Sequence, residues 1–170
     1  MKRFTITTVA VFAMVVIGFL LKIPLSSTVL LSAADAQIQC QLPKKFSLKW
    51  RHSVEKQFWR EFYQVQNDQL FLYLSHVQTF GAGVPNDPLV VEAPAGYIGQ
   101  RIDRILPKIN WVVSRNMQGV VLFDHEQTTK QLSIYQIVPD YSVIQIAIVN
   151  LSFWEKITVP SCVRFTDNPY

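Results

Sequence analysis

From residue 46 onward, apolar side chains recur in short runs at every second position, broken by clusters of turn-forming residues, which is the pattern of an antiparallel β domain. Strands are predicted at 46–52, 58–66, 69–79, 110–115, 119–124, 131–138, 142–151 and 154–159. Asn67-Asp68, Gln118-Gly119, the stretch from Glu126 to Lys130, and Pro139-Asp140 supply the turns between several of them. One segment departs from this pattern. Ile102, Ile105, Leu106 and Ile109 keep helical spacing, so a short helix is predicted over 97–106, covering an open end or edge of the sheet. Residues 143–151 are apolar on both faces apart from Gln145 and Asn150. That run is too short to cross a bilayer and is predicted as a central strand covered on both sides. The expected fold class is all-β: an antiparallel sandwich or partly open barrel with one short helix, preceded by an N-terminal transmembrane or signal helix.

That leader follows from the first residues. Lys2 and Arg3 precede 18 residues without a charge, Phe4 to Leu21, about the minimum that spans a membrane. The basic flank orients the segment with its N-terminus in the cytoplasm and the remainder exported. Two fates are open: retention as an inner-membrane anchor, or cleavage after Ala36, where Ala34 and Ala36 present small side chains to a signal peptidase. In the second case the domain is released into the periplasm. The chain of 170 residues then divides into a leader with the start of a linker, 1–36, and an exported β domain, 37–170, with linker character over 22–44.

The formal charge of +4 owes half its value to the leader. Lys2, Arg3 and Lys22 stand against Asp35 there, leaving 13 basic and 11 acidic residues beyond it, a balance of +2. No block of like charge exists, so nucleic-acid binding has no electrostatic footprint. Cys40 and Cys162 both fall on the exported side. They either form a bridge, which an oxidising compartment permits, or remain two unpaired thiols.

Strand parity points to the candidate chemistry. Phe46, Leu48 and Trp50 share one face of their strand and His52 falls on it, whereas Ser53 is directed to the other side. Glu61 sits between Trp59 and Tyr63 on an otherwise apolar face. With Asn67-Asp68 as a two-residue turn, Val65 is expected opposite Leu70, Tyr63 opposite Leu72, Glu61 opposite Leu74 and Trp59 opposite His76. A preceding hairpin that keeps apolar faces together places Leu48 opposite Val65, Trp50 opposite Tyr63 and His52 opposite Glu61. This register gathers His52, Glu61 and His76 at one end of a three-strand meander, beside Gly81-Ala82-Gly83.

Three roles are open to that group: a buried His–Glu hydrogen bond that pins register, a small-ligand site, or metal binding or acid–base catalysis. Gly81 and Gly83 either form a tight bend or offer backbone N–H groups to an anion. His125 lies in a remote turn-rich segment and is expected at the solvated surface. The tryptophans Trp50, Trp59, Trp111 and Trp154 fall within apolar runs and are expected in core and rim packing. No cofactor is indicated. No compact zinc motif, nucleophile elbow or phosphate-binding loop occurs, and the chain leans away from an enzyme.

The segment Phe46 to Lys56 with Trp59 and Glu61, followed by Leu70 to Pro85 ending in Phe-Gly-Ala-Gly-Val-Pro, resembles a bacterial family of small exported domains of unknown function (DUF1850), often encoded beside TRAP transporters of the TAXI type. Matching positions are His52, Ser53, Val54, Glu55, Lys56, Glu61, Gly81, Ala82, Gly83 and Pro85. The resemblance implies an extracytoplasmic accessory to solute uptake, partnered with a TRAP-type permease or its solute-binding protein at the inner membrane. It brings no catalytic assignment.

Overall fold

The computed structural model describes residues 11, 12, 14, 18, 21–80 and 89–166. Among these residues eleven strands form two antiparallel sheets. They are β1 (Pro24–Ala33), β2 (Ile38–Leu42), β3 (Lys45–Arg51), β4 (Phe58–Gln66), β5 (Gln69–Val77), β6 (Leu89–Val91), β7 (Ile98–Leu106), β8 (Lys108–Val113), β9 (Val120–His125), β10 (Thr128–Leu132) and β11 (Ser142–Ser152). The smaller sheet has the order β2-β1-β11-β8 and the larger β10-β9-β3-β4-β5-β7-β6. Alternate residues of both turn inward onto one core: Val29, Leu31, Ile144 and Ile146 from the first sheet meet Leu48, Leu70, Leu72 and Val121 from the second. The result is a β-sandwich and not a closed barrel, because sheet edges remain at β2, β8, β10 and β6.

Local chemistry accounts for much of this. Asn67 and Asp68 both take positive φ, 49° and 54°, and join β4 to β5 as a two-residue turn whose twist matches the strands. Glu126 and Gln127 do the same between β9 and β10. Two short helices, α1 (Ile134–Ile137) and α2 (Phe153–Thr158), occupy stretches expected as the end of strand 131–138 and as strand 154–159. For α2 the reason is a capping box: Ser152 Oγ accepts from the Glu155 N–H while the Glu155 carboxylate accepts from the Ser152 N–H.

The helix expected over 97–106 is strand β7. Side chains four apart share a face in a strand as well as in a helix, so Ile102 and Leu106 fit both patterns; both pack against the core, while Ile105 is exposed. The expected sheathing of 143–151 holds for hydrogen bonding only. β11 runs between β1 and β8, with Ile144 and Ile146 buried, but Val143 on its outer side is half exposed.

The stretch read as a linker, 22–44, is also corrected. It contains β1 and β2, so the β domain begins ahead of the boundary expected at 37. β1 pairs with β11 from Pro24↔Ser152 to Ala33↔Ile144, and with β2 on its other side. The expected cleavage point after Ala36 falls in the turn between β1 and β2, where a cut would sever β1 from the rest of the domain. Among the described residues no helix is long and apolar enough to cross a membrane, and most of the expected span, Phe4 to Leu21, lies outside them. Cys40 on β2 and Cys162 in a terminal 3₁₀ turn (Cys162–Phe165) form a disulfide, Cα to Cα 4.9 Å, fully buried at the edge of the core.

Candidate functional site

The residues expected to converge are distributed over three places. His52 lies beyond the end of β3, in the loop to β4: its N–H donates to the Gln57 carbonyl and its own carbonyl accepts from the Lys56 N–H. Its ring stacks on Trp59 with centroids 5.1 Å apart, and its Nδ1 stands 3.9 Å from a Glu55 oxygen. Ser53 belongs to the same loop, its carbonyl accepting from Lys56 Nζ at 2.5 Å. Glu61 does not meet His52. The β3–β4 register pairs Leu48 with Glu61 and Trp50 with Trp59, four residues away from the expected Leu48–Val65 pairing.

His76 is on the other side of the sheet. The expected pairs Val65↔Leu70 and Tyr63↔Leu72 occur, but Tyr73 is then an extra residue on β5, and beyond it Phe62 pairs with Leu74, Glu61 with Ser75, Arg60 with His76 and Trp59 with Val77. A single inserted residue reverses the side-chain alternation. Ser75 therefore joins Glu61 on the inner face, and His76 joins Arg60 on the outer one. Gly81 and Gly83 lie outside the described residues, and no group of three potential metal ligands occurs among those described.

On the inner face, Leu48, Glu61, Ser75 and Gln100 form one cross-strand row between apolar rows. Ser75 and Gln100 are buried, and Gln100 Nε2 has no hydrogen-bond partner among the described residues. The Tyr63 hydroxyl donates to a Glu61 carboxylate oxygen. Burial raises the Glu61 pKa above 4.5, opposed by the Tyr63 hydrogen bond and the charge of Arg104. The same burial, with Glu61 alongside, pushes the Tyr63 phenol upward. This pair is a satisfied core contact. Beside the row, two residues along β3 and β4, lies an aromatic group, Trp50 being 6.0 Å from Trp59 and 6.1 Å from Trp111 on the opposite sheet. Trp50, Trp59 and Trp111 thus occupy core and rim positions, while Trp154 is exposed.

The outer face of the large sheet carries the more open arrangement. A groove of about 230 Å³ is lined by Lys45, Ser47, Arg60, Phe62, Tyr73 and Asp124, among others. Arg60 Nε donates to Ser47 Oγ at 3.1 Å, and the guanidinium lies over the Phe62 ring, 4.6 Å from its centroid. No carboxylate stands within ion-pair distance of Arg60 among the described residues. Burial lowers its pKa, and the more distant Asp124, then Tyr97 and Tyr73, act the other way. Asp124 accepts from Thr129 Oγ1 at 2.8 Å. Next to Arg60, His76 packs edge-on to Phe62 at 4.8 Å, with Nε2 buried and without a partner among the described residues. Burial and Arg60 both depress its pKa below 6.5. A guanidinium fork set among aromatic faces and hydroxyls suits a small carboxylate. His125, at the end of β9, borders a separate pocket of about 280 Å³ near the disulfide, with Gln41, Ser161 and Val163.

Arg60, Ser47, Tyr73 and Asp124 escape strand parity because outward positions default to solvent. A signal was present in Phe58-Trp-Arg-Glu-Phe62, which carries aromatic residues on both faces of one strand. Such a strand is covered, or holds something, on its outer side.

The description Domain of unknown function (DUF1850) matches residues 46–130, half of the chain. The matched segment runs from β3 into β10, so it builds nearly all of the large sheet and β8 of the small one, and it contains Arg60, Glu61 and His76. The strands β1, β2 and β11 and both cysteines lie outside it. Neither a curated protein nor a solved structure gives a significant match.

Proposed function

This chain belongs to the family Domain of unknown function (DUF1850), and from that premise we propose that it is a membrane-anchored, extracytoplasmic, non-enzymatic accessory of TRAP-type (TAXI) solute uptake. The observation that carries the anchored reading is the placement of β1. The strand that follows the apolar leader almost at once is interior to the small sheet, bonded to β2 and β11. Cutting after Ala36 removes that strand from the chain, so retention of the leader is the fate consistent with a folded domain. The disulfide fits an oxidising compartment on the far side of the membrane. The transport link rests on the family resemblance. Affinity purification of the full chain from gently solubilised native membranes is expected to recover a TRAP permease or its solute-binding protein. Recovery of neither, with solute uptake intact after deletion of the gene, would overturn the transport link.

A second reading, a small-ligand-binding periplasmic domain, is favoured by the half-buried Arg60 in its groove, and places the ligand there instead of among His52, Glu61 and His76. A ligand that binds only the folded state at about a hundred times its Kd adds about 2.7 kcal/mol of stability. A panel of small carboxylates, with zinc as a separate arm, is expected to include one carboxylate that raises the thermal midpoint of the wild type and leaves Arg60→Gln unshifted. A panel without effect, or an equal shift in the variant, rejects the groove as the site.

A further inference from the structure

All six residues of α2 are exposed, and three of them are large and apolar: Phe153, Trp154 and Ile157 are 44%, 60% and 62% exposed. The helix stands beside the end of the leader. The backbone N–H of Trp154 donates to the carbonyl of Leu21, the last residue of the uncharged run, at 3.4 Å. A pocket of about 540 Å³ opens between Gly18, Leu21 and Lys22 on one side and Ser152, Trp154 and Glu155 on the other. Val11, Phe12 and Met14, helical and upstream, are 56%, 69% and 64% exposed, and Ile23 is 40% exposed. The charges sort around this apolar surface. Lys22 is exposed beside it, Lys156 Nζ reaches back to Ser26 Oγ at 3.0 Å, and the one acidic group of α2, Glu155, is turned onto Ser152 by the capping box.

We propose that α2 lies in the interfacial layer of the bilayer that the leader crosses, with Phe153, Trp154 and Ile157 among the lipid carbonyls and Lys22 and Lys156 at the headgroups. The proposal rests on the anchored reading above. A residue bonded to the last apolar position of a span stands at the depth where that span leaves the hydrocarbon, the depth that tryptophan prefers, with lysine reaching outward. An apolar helix face flanked by lysines is the surface that binds in that plane. The leader alone fixes a tether. With α2 seated as well, the sandwich is held at two points and its orientation to the membrane is set.

The test uses the full chain in vesicles of phosphatidylethanolamine and phosphatidylglycerol, with acyl chains brominated at either a shallow or a deep position. The emission difference between wild type and Trp154→Phe isolates Trp154 from the other three indoles. It is expected to be blue-shifted and quenched by the shallow bromines, and both features are expected to be lost when Phe153 and Ile157 are replaced by aspartate in a variant that keeps its thermal midpoint. Red-shifted emission quenched by aqueous iodide overturns the proposal. So does emission shielded from both quenchers together with cross-linking to a second copy or to a transport subunit. Flotation after a urea wash separates the two ideas: a chain that does not float removes the anchored reading and this proposal together, whereas a chain that floats with Trp154 in water removes this proposal alone.

Discussion

Replacing Cys40 and Cys162 together by alanine is expected to lower the stability of the domain by about 5 kcal/mol in the chain-entropy account of cross-links. The bond closes a loop with a sequence separation of 122, nearly the whole domain. Its removal therefore restores most of the conformational freedom that the cross-link takes from the unfolded chain. In the folded state the bond also fastens the C-terminal segment to β2. Without it, that segment is held through Gln41, whose N–H donates to the Pro160 carbonyl at 2.9 Å and whose side-chain amide donates to the Val159 carbonyl at 2.6 Å. Total stabilities of small domains are about 5–15 kcal/mol, so the variant is expected to be partly unfolded at physiological temperature. Equilibrium urea unfolding of the oxidised wild type and the double variant measures the difference. A loss below about 1 kcal/mol, the size of an ordinary substitution, would contradict it.

The second large effect concerns Tyr63 and Glu61. Tyr63→Phe removes the hydroxyl that donates to the Glu61 carboxylate and leaves that group on the inner face without it. The expected loss at neutral pH is about 1–3 kcal/mol. Glu61→Gln in the wild-type background is expected to cost little or to stabilise at neutral pH, because it removes the charge that burial opposes. The pH dependence follows from direction. The folded-state pKa of Glu61 is raised above 4.5, so the folded chain holds this proton more tightly than the unfolded chain. Its contribution is complete below the unfolded value and is lost as pH rises through the raised folded value. His76 acts oppositely. Its folded pKa is depressed below 6.5, so its contribution is complete above 6.5 and is lost as pH falls through the folded value. Unfolding free energies across the pH range from 4 to 8 for wild type and Glu61→Gln are expected to diverge upward from about pH 4.5, with the wild type losing stability relative to the variant. Parallel curves would show that Glu61 titrates alike in both states.

Within the large sheet, legibility tracks how local the determining interactions are. β4 spans 58–66 as the alternation predicts, and the Asn67-Asp68 turn sets the β4–β5 register from Gln66↔Gln69 to Tyr63↔Leu72. Where a segment's partner lies far along the chain, the pattern misleads. β1 and β2 read as leader and linker because Ser, Thr and Gln dilute their alternation; pairing with the distant β11 makes β1 a strand, and β2 then pairs with β1. The candidate site was legible by residue type and not by placement. His52, Glu61 and His76 are all near β3, β4 and β5, yet a four-residue difference in the β3–β4 register and one extra residue at Tyr73 send them to a loop, the core and the outer face.

The sequence by itself determines the all-β class, the family segment 46–130, the turn at Asn67-Asp68 and the presence of two cysteines downstream of an apolar N-terminal run. These follow from side-chain chemistry read over a few neighbouring residues. Only the tertiary structure decides that β1 belongs to the sandwich, that the cysteines meet, and that Arg60 lines a groove on the outer face while Glu61 packs against Tyr63 on the inner one. The physical reason is the period of two in a strand: one inserted residue reverses every side chain beyond it. Whether that insertion is accommodated depends on packing against strands that the local pattern does not contain.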